Sequence, residues 1–579
     1  MTNVFFTSAH AIADAQQGVV PVIAQAGTAF LPLLALAVTS TLGLLLKPKE
    51  LVRTLKAKPW ILVIIALVAV GGWWLWGWMT ADPVVAVKES KGGAASAMGA
   101  GSYQADWSKV ALEIIRQEEV DRQRGVTAPV VVAPTAPVAV VAPAPVATAS
   151  VVTAPAPTTA AARYFRGGAE RNGHLGGPAP RGLVPLWSFY PQDDRNAMVL
   201  SSPMVRDGKV YAASCLLDPP GSYGTIFRLD LATGKQEWIC EFKDPKAKQD
   251  FLGFFSSPAV NAEGNRLLIG QGLHMDFDAA LVCLDTADGT VKWTVPTPLH
   301  IEGSPAIEGD IVVAGAGAVE LGEDHKPKGD PTGKGHPGFV VGVRISTGEV
   351  LFRETVNDPE SSPVLRHGIC YIGSGLNGSK VVAIRADLTD AELAAKGLKR
   401  QLWELETPYP ATGAVTLAGD LVLLGCGKGD FVFAAKDPEG LILAVDATTG
   451  QKRWEVKLPD AVLAPIAVNG TVGIAPCRNG EVVAIDLAQA GKELWRARLN
   501  KNAPALAGAA FTGDTVYAVS NDGYLVVLDA KDGKQLERIY LNAKGKPGEL
   551  GLCTSSPLVV DGKLVVGSET GGLRCFVGK

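Results

Sequence analysis

Ala444-Val445-Asp446-Ala447-Thr448-Thr449-Gly450-Gln451-Lys452-Arg453-Trp454 closes one unit of a repeat, and the repeat decides the fold. The short polar side chains of Asp and Thr bond their own backbone, and Gly takes the positive φ of a tight turn. The turn joins two strands. The Trp four residues on stands on an outer strand, where its flat ring fills the wedge between neighbouring units. The same phrase recurs as Asp230 to Gly234 with Trp238, Asp285 to Gly289 with Trp293, and Asp486 to Gly491 with Trp495. Two further units carry Phe352 or Glu537 at that place. Trp187, Trp238, Trp293, Trp403, Trp454 and Trp495 are the predicted blade-docking residues.

A second phrase opens the units: Ser201-Ser202-Pro203, Ser256-Ser257-Pro258, Gly303-Ser304-Pro305, Ser361-Ser362-Pro363 and Ser555-Ser556-Pro557. Weaker copies begin near Thr412, Leu463 and Ala505, making eight starts about 40 to 60 residues apart. Between the phrases lie β-branched and aromatic runs such as Lys209 to Ala213, joined by Asp-Gly turns such as Asp207-Gly208. One unit of four short strands cannot bury both faces, whereas a ring of units can. The expected fold is all-β, an eight-bladed β-propeller of four-stranded antiparallel blades. Its last unit, Ser555 to Lys579, has room for three strands only. Leu183 to Phe189, with Trp187, reads as the missing outer strand that clasps the ring.

The repeat resembles the pyrroloquinoline quinone (PQQ)-like β-propeller repeats of quinoprotein dehydrogenases, through the motif A-x-D-x-x-T-G-x-x-x-W at Ala444, Asp446, Thr449, Gly450 and Trp454. Tyr164-Phe165-Arg166-Gly167 through Arg171-Asn172-Gly173 is similar to the lead-in of bacterial PQQ-like repeat proteins. The same repeat occurs in the non-catalytic outer-membrane assembly lipoprotein, so the resemblance implies the fold and leaves two functions open. Dehydrogenases of this kind hold PQQ over the ring centre, many with a disulfide between adjacent cysteines, a calcium site and a catalytic Asp. No adjacent cysteine pair occurs here.

The ring accounts for 163–579 of 579 residues. The net charge of -4, pI of about 6.1 and absence of a basic stripe argue against a nucleic-acid partner. Mean hydropathy is +0.18, high for a soluble chain. Its source is at the N-terminus. After a segment 1–28, two apolar runs within 29–79 (about Ala29 to Leu46 and Trp60 to Met79) approach the roughly 20 residues of a spanning helix. Trp73, Trp74, Trp76 and Trp78 stand near the end of the second, as interface residues do. The loop between them is basic, from Lys47 to Lys58, and basic loops stay in the cytoplasm. The expected topology is a helical hairpin in the bacterial inner membrane with the ring on the periplasmic side. If only the second run spans, the ring remains on that side.

A stalk, 80–125, carries one short helix from Asp106 to Arg124. Residues 126–162 are almost all Ala, Pro, Val and Thr. Such a tract builds no core, and at ~3.1 Å per residue it reaches on the order of 110 Å as a spacer. The eight cysteines form no C-x-x-C pair and mostly sit in strand-like apolar runs. They read as buried small residues, with a disulfide or two left open.

No catalytic set emerges. The Ser-Ser-Pro serines recur in several units and so serve the fold. One polar group stands out on loops expected on one face: His274, Asp276 and Asp278 in the second unit, His300 and Glu302 on the following link, and Asp324, His325 and His336 in the third. His and carboxylates together ligate divalent metals. The expectation is a non-catalytic scaffold for an envelope protein or peptide, without a cofactor. The alternatives are a PQQ-dependent membrane-bound dehydrogenase and a metal or small-ligand sensor.

Overall fold

The computed structural model describes residues 164–579 except 192–196, 219–220, 245, 247–248, 274–275, 318–337, 376–377, 432–433, 501–502 and 543–551. The expected membrane segments, stalk and linker lie outside the described residues. No described helix is long and apolar enough to cross a membrane.

Eight four-stranded antiparallel sheets form the ring. Blades 1 to 7 occupy 204–240, 259–299, 306–355, 364–406, 416–458, 467–498 and 510–540, each in simple up-and-down order. Blade 8 takes its three inner strands from 558–577 and its outer strand from the other end of the chain. There Val184–Phe189 pairs antiparallel with Leu573–Val577, with Trp187 opposite Cys575. The two chain ends are thus hydrogen-bonded into one sheet. The middle strands are buried on both faces, as in Gly440–Asp446 of blade 5, because each blade is sandwiched between two others.

Each Trp docks on the next blade. The indole N–H of Trp187 donates to Leu231 O (2.9 Å), Trp238 to Thr286 O (3.0 Å) and Trp293 to Ile345 O (2.9 Å). Trp403 donates to Ala447 O (3.0 Å) and Trp495 to Ala530 O (2.7 Å). Every acceptor lies in the neighbour's tight turn between its third and fourth strands, one residue after the Asp that opens it or, at Ile345, after Arg344. A β-bulge in the outer strand pair sets these rings at the blade-to-blade seam, for example with Ala444 opposite Trp454.

The turn glycines have two jobs. Gly289 has φ +75°, and a Cβ there would stand 2.7 Å from the Trp238 ring. Gly491 meets Trp454 in the same way. Gly289→Ala is therefore expected to cost roughly 2–4 kcal/mol, combining left-handed strain with a displaced indole. Gly309 has φ +57° and open space around it, so Gly309→Ala is expected to cost only about 1–2 kcal/mol. Urea unfolding of the two variants checks this, and equal losses would remove the indole contact from the account.

Where the Trp is missing, the seam is built differently. Blade 4 replaces its turn by a capped helix, Asp390–Lys396. Arg400 beyond it stacks on Phe352 at 4.1 Å and pairs with Asp390 at 2.7 Å. In blade 7, Glu537 instead accepts the Leu183 amide at the ring closure (3.1 Å). The disulfide left open by the sequence is not formed. All eight cysteines are free thiols, seven of them buried and Cys240 half-buried.

Candidate functional site

The axis of the ring is built in tiers, because side chains on an inner strand alternate with period two. The mouth tier is Leu200, Phe255, Glu302, Glu360, Thr412, Leu463, Leu506 and Thr554, one from each blade's approach. Two residues further in stand Ser202, Ser257, Ser304, Ser362, Ala414, Pro465, Gly508 and Ser556. The repeated serines are inter-blade latches. The first serine donates outward, as Ser256 Oγ to Gly303 O (3.2 Å), Ser361 Oγ to Gly413 O (2.8 Å) and Ser555 Oγ to Ser201 O (3.0 Å). The second serine accepts: Ser202 N donates to Ser257 Oγ (3.0 Å), Ser257 N to Ser304 Oγ (2.9 Å) and Ser304 N to Ser362 Oγ (2.9 Å). Ser556 N donates to Ser202 Oγ across the closure (2.9 Å).

The far end of the axis is plugged by the lead-in segment. Its carbonyls at Ala169, Glu170, Asn172 and Gly173 accept from Leu417, Val468, Phe511 and Val559, the inner strands of blades 5, 6, 7 and 8 in turn (2.7–2.9 Å). Arg166 and Arg171 are fully buried within it. Arg166 donates to Arg171 O (2.7 Å), Gly508 O (2.8 Å) and Ala509 O. Arg171 donates to Val415 O (3.0 Å), Phe165 O (3.0 Å), Ser362 O (3.3 Å) and Pro363 O, and lies 5.0 Å from the Phe165 ring centre. Burial lowers both guanidinium pKa values, Arg166 to about 9 and Arg171 to about 10. These arginines are the main residues that sequence reasoning missed. Their motif was visible, but nothing in it told that they cross the ring.

The mouth is roofed by Phe431 from the long loop of blade 5. Its ring meets Phe255 of blade 2 edge-on at 5.5 Å and packs with Leu463 and Leu506. Arg478 Nε holds this loop through Asp430 O (2.7 Å). Between roof and plug remains a cavity of about 70 Å³, with Phe165 in its wall. One side is acidic, with Glu302 and Glu360, and the other is leucine and phenylalanine.

The described residues of the expected metal group go to separate partners. Asp276 is buried and accepts from Ser222 N (3.2 Å), Ser222 Oγ (2.5 Å) and Leu273 N (2.9 Å), tying blade 2 to the Leu216–Tyr223 hairpin of blade 1. Burial raises its pKa, and the Ser222 bonds oppose that. Asp278 has φ +56° and offers its carbonyl to Lys243 (3.2 Å). His300 is buried, with Nε2 3.3 Å from Glu360 Oε1 of the next link. His274, Asp324, His325 and His336 lie outside the described residues. Among the described residues no three His, Cys, Asp or Glu side chains are arranged to hold a metal. Cysteine nucleophiles are disfavoured as well, since burial pushes the Cys553 and Cys477 thiols up to about 12.

The comparisons with known proteins point to the same propeller family. The family described as outer membrane protein assembly factor BamB matches residues 187–426 and 400–578. The assembly factor BamB of Xanthomonas campestris pv. campestris is 27% identical over 398 residues, covering 68% of this chain and 85% of that protein. The quinoprotein alcohol dehydrogenase PedH of Pseudomonas putida is 26% identical over 174 residues, 27% of each chain. Among solved structures, quinohemoprotein alcohol dehydrogenase from Comamonas testosteroni superposes with a TM-score of 0.51 at 14% identity, over 73% of this chain and 82% of that one. The latter shares the fold alone. With eight PQQ-type blades and a family match running through nearly the whole ring, this chain belongs to the outer membrane protein assembly factor BamB family.

Proposed function

We propose that the chain is a non-catalytic protein-binding scaffold of the cell envelope, acting in outer-membrane protein assembly as its relatives' names describe. The observation that carries this reading is the filled axis. Pockets for drug-sized ligands run to roughly 300–1,000 Å³, against about 70 Å³ here. PQQ is a planar three-ring quinone with three carboxylates. Glu302 and Glu360 would repel it, Phe431 and Phe165 occupy the space above and below, and both plug arginines are committed to main-chain carbonyls. The residues at the axis do not fit that cofactor, and no reaction step is derived through it. The coverage of the assembly-factor relative, 85% of its length, favours the scaffold over the dehydrogenases, which match shorter stretches.

The apolar runs within 29–79 would anchor the ring at the inner membrane, and 126–162 would act as its spacer. The relatives' names point to the outer membrane, so the two placements are separable. In density-gradient fractionation, the full chain is expected in the inner-membrane fraction, and recovery with the outer membrane would overturn the anchor. For function, crosslinking in intact cells is expected to capture an outer-membrane assembly component reproducibly. The full chain incubated with PQQ and calcium is expected to show neither quinone absorbance nor dye reduction with alcohols. Alcohol-dependent dye reduction would replace the scaffold by the dehydrogenase.

A further inference from the structure

The inner serine tier has an unused half. Ser556, Ser202, Ser257, Ser304 and Ser362 each accept one backbone amide from the preceding blade, at 2.9–3.0 Å. A hydroxyl also has a proton to donate. No described group accepts the proton of any of these five, and all five line the axial cavity. The amide bond fixes each oxygen at the blade seam and leaves its O–H for the cavity. Five consecutive blades thus offer an arc of donors.

Charge points the same way. Arg166 and Arg171 are buried beneath this tier, and neither meets a carboxylate: every bond they make goes to a main-chain carbonyl. Each is one link from the arc. Arg166 holds the carbonyl of Gly508, whose amide donates to Ser556. Arg171 holds the carbonyl of Ser362. Buried charge without a counter-charge is costly, and a nearby anion offsets it. The opposing feature is the acidic side of the mouth at Glu302 and Glu360, which belong to the links into blades 3 and 4. The arc continues away from them, beneath Thr554, Leu200 and Phe255.

We propose that the propeller axis binds a monatomic anion, chloride in the envelope, against the hydroxyls of Ser556, Ser202 and Ser257 and above the two buried guanidiniums. A cavity of about 70 Å³ admits such an ion with a few waters. The anion neutralises part of the plug's charge and ties blades 8, 1 and 2 together at the ring closure.

The test is thermal unfolding of the full chain in detergent, with sodium chloride exchanged for sodium gluconate at constant ionic strength. Above saturation, mass action is expected to raise the midpoint by about 2 °C per tenfold chloride. Glu302→Gln removes a repulsive charge, so its rise is expected to begin at severalfold lower chloride. The double variant Ser202→Ala, Ser257→Ala is expected to lose the response. A midpoint indifferent to chloride in both the wild type and Glu302→Gln overturns the proposal, leaving water alone on the hydroxyls. So does a full response in the serine double variant. If that variant does not fold, anomalous diffraction from bromide-grown crystals decides. A peak within hydrogen-bond reach of these Oγ atoms supports the site, and its absence there refutes it.

Discussion

Ending the chain before Leu573 is expected to abolish cooperative folding of the ring. Leu573–Val577 is an interior strand of blade 8, paired with Lys563–Gly567 on one side and with Val184–Phe189 on the other. Its Leu573, Cys575 and Phe576 side chains are fully buried. Without it the N-terminal strand has no sheet to join, and blades 8 and 1 lose their shared seam. Trp187 then no longer reaches Leu231, and an open arc exposes two unpaired sheet faces. Only closure removes that exposure. The truncated chain should aggregate or show no sigmoidal urea transition by tryptophan fluorescence. The graded companion, Trp187→Ala, should fold but lose about 2–4 kcal/mol, since its ring is only partly buried. A soluble truncated protein with a near-normal transition would show that the ring does not depend on its clasp.

Replacing Arg171 with alanine is expected to cost about 3–5 kcal/mol, the range for breaking a buried charged network. The variant leaves the carbonyls of Val415, Phe165, Ser362 and Pro363 without this donor and opens a void under the serine tier. The gain from no longer burying a charge offsets part of this, because burial already lowers the pKa of the group. Arg171→Met separates the two effects by filling most of the volume without donating. If the hydrogen bonds dominate, methionine recovers little of the loss in urea unfolding. A loss under about 1 kcal/mol for alanine would mean that water replaces the guanidinium, and that the plug is not a structural member of the ring.

Much of the ring was legible because its determinants are local and repeated. The Asp-x-x-Thr-Gly turn is chosen by side chains bonding their own backbone, as Asp446 Oδ1 does with the Thr448 and Thr449 amides (3.0 and 2.7 Å). A lone tryptophan after most of these turns then implies a neighbour to cover it. The last unit lacks a strand, and a matching strand precedes the first. The missed features are long-range. Asp276 stands among histidines and aspartates in the sequence, yet its carboxylate serves Ser222, 54 positions away. Metal-type composition identified chemically able residues, not the directions in which their side chains turn.

The sequence by itself determined the number of blades, the place of most turns and of the docking tryptophans, and the clasp of the two ends, because period-two strands and tight turns follow from neighbouring residues. The tertiary structure alone decided what fills the axis. Arg166 and Arg171 reach residues up to 343 positions away, and Phe431 of blade 5 meets Phe255 of blade 2 across the mouth. Such contacts exist only once eight blades have closed, since closure is what brings their inner edges to a common axis.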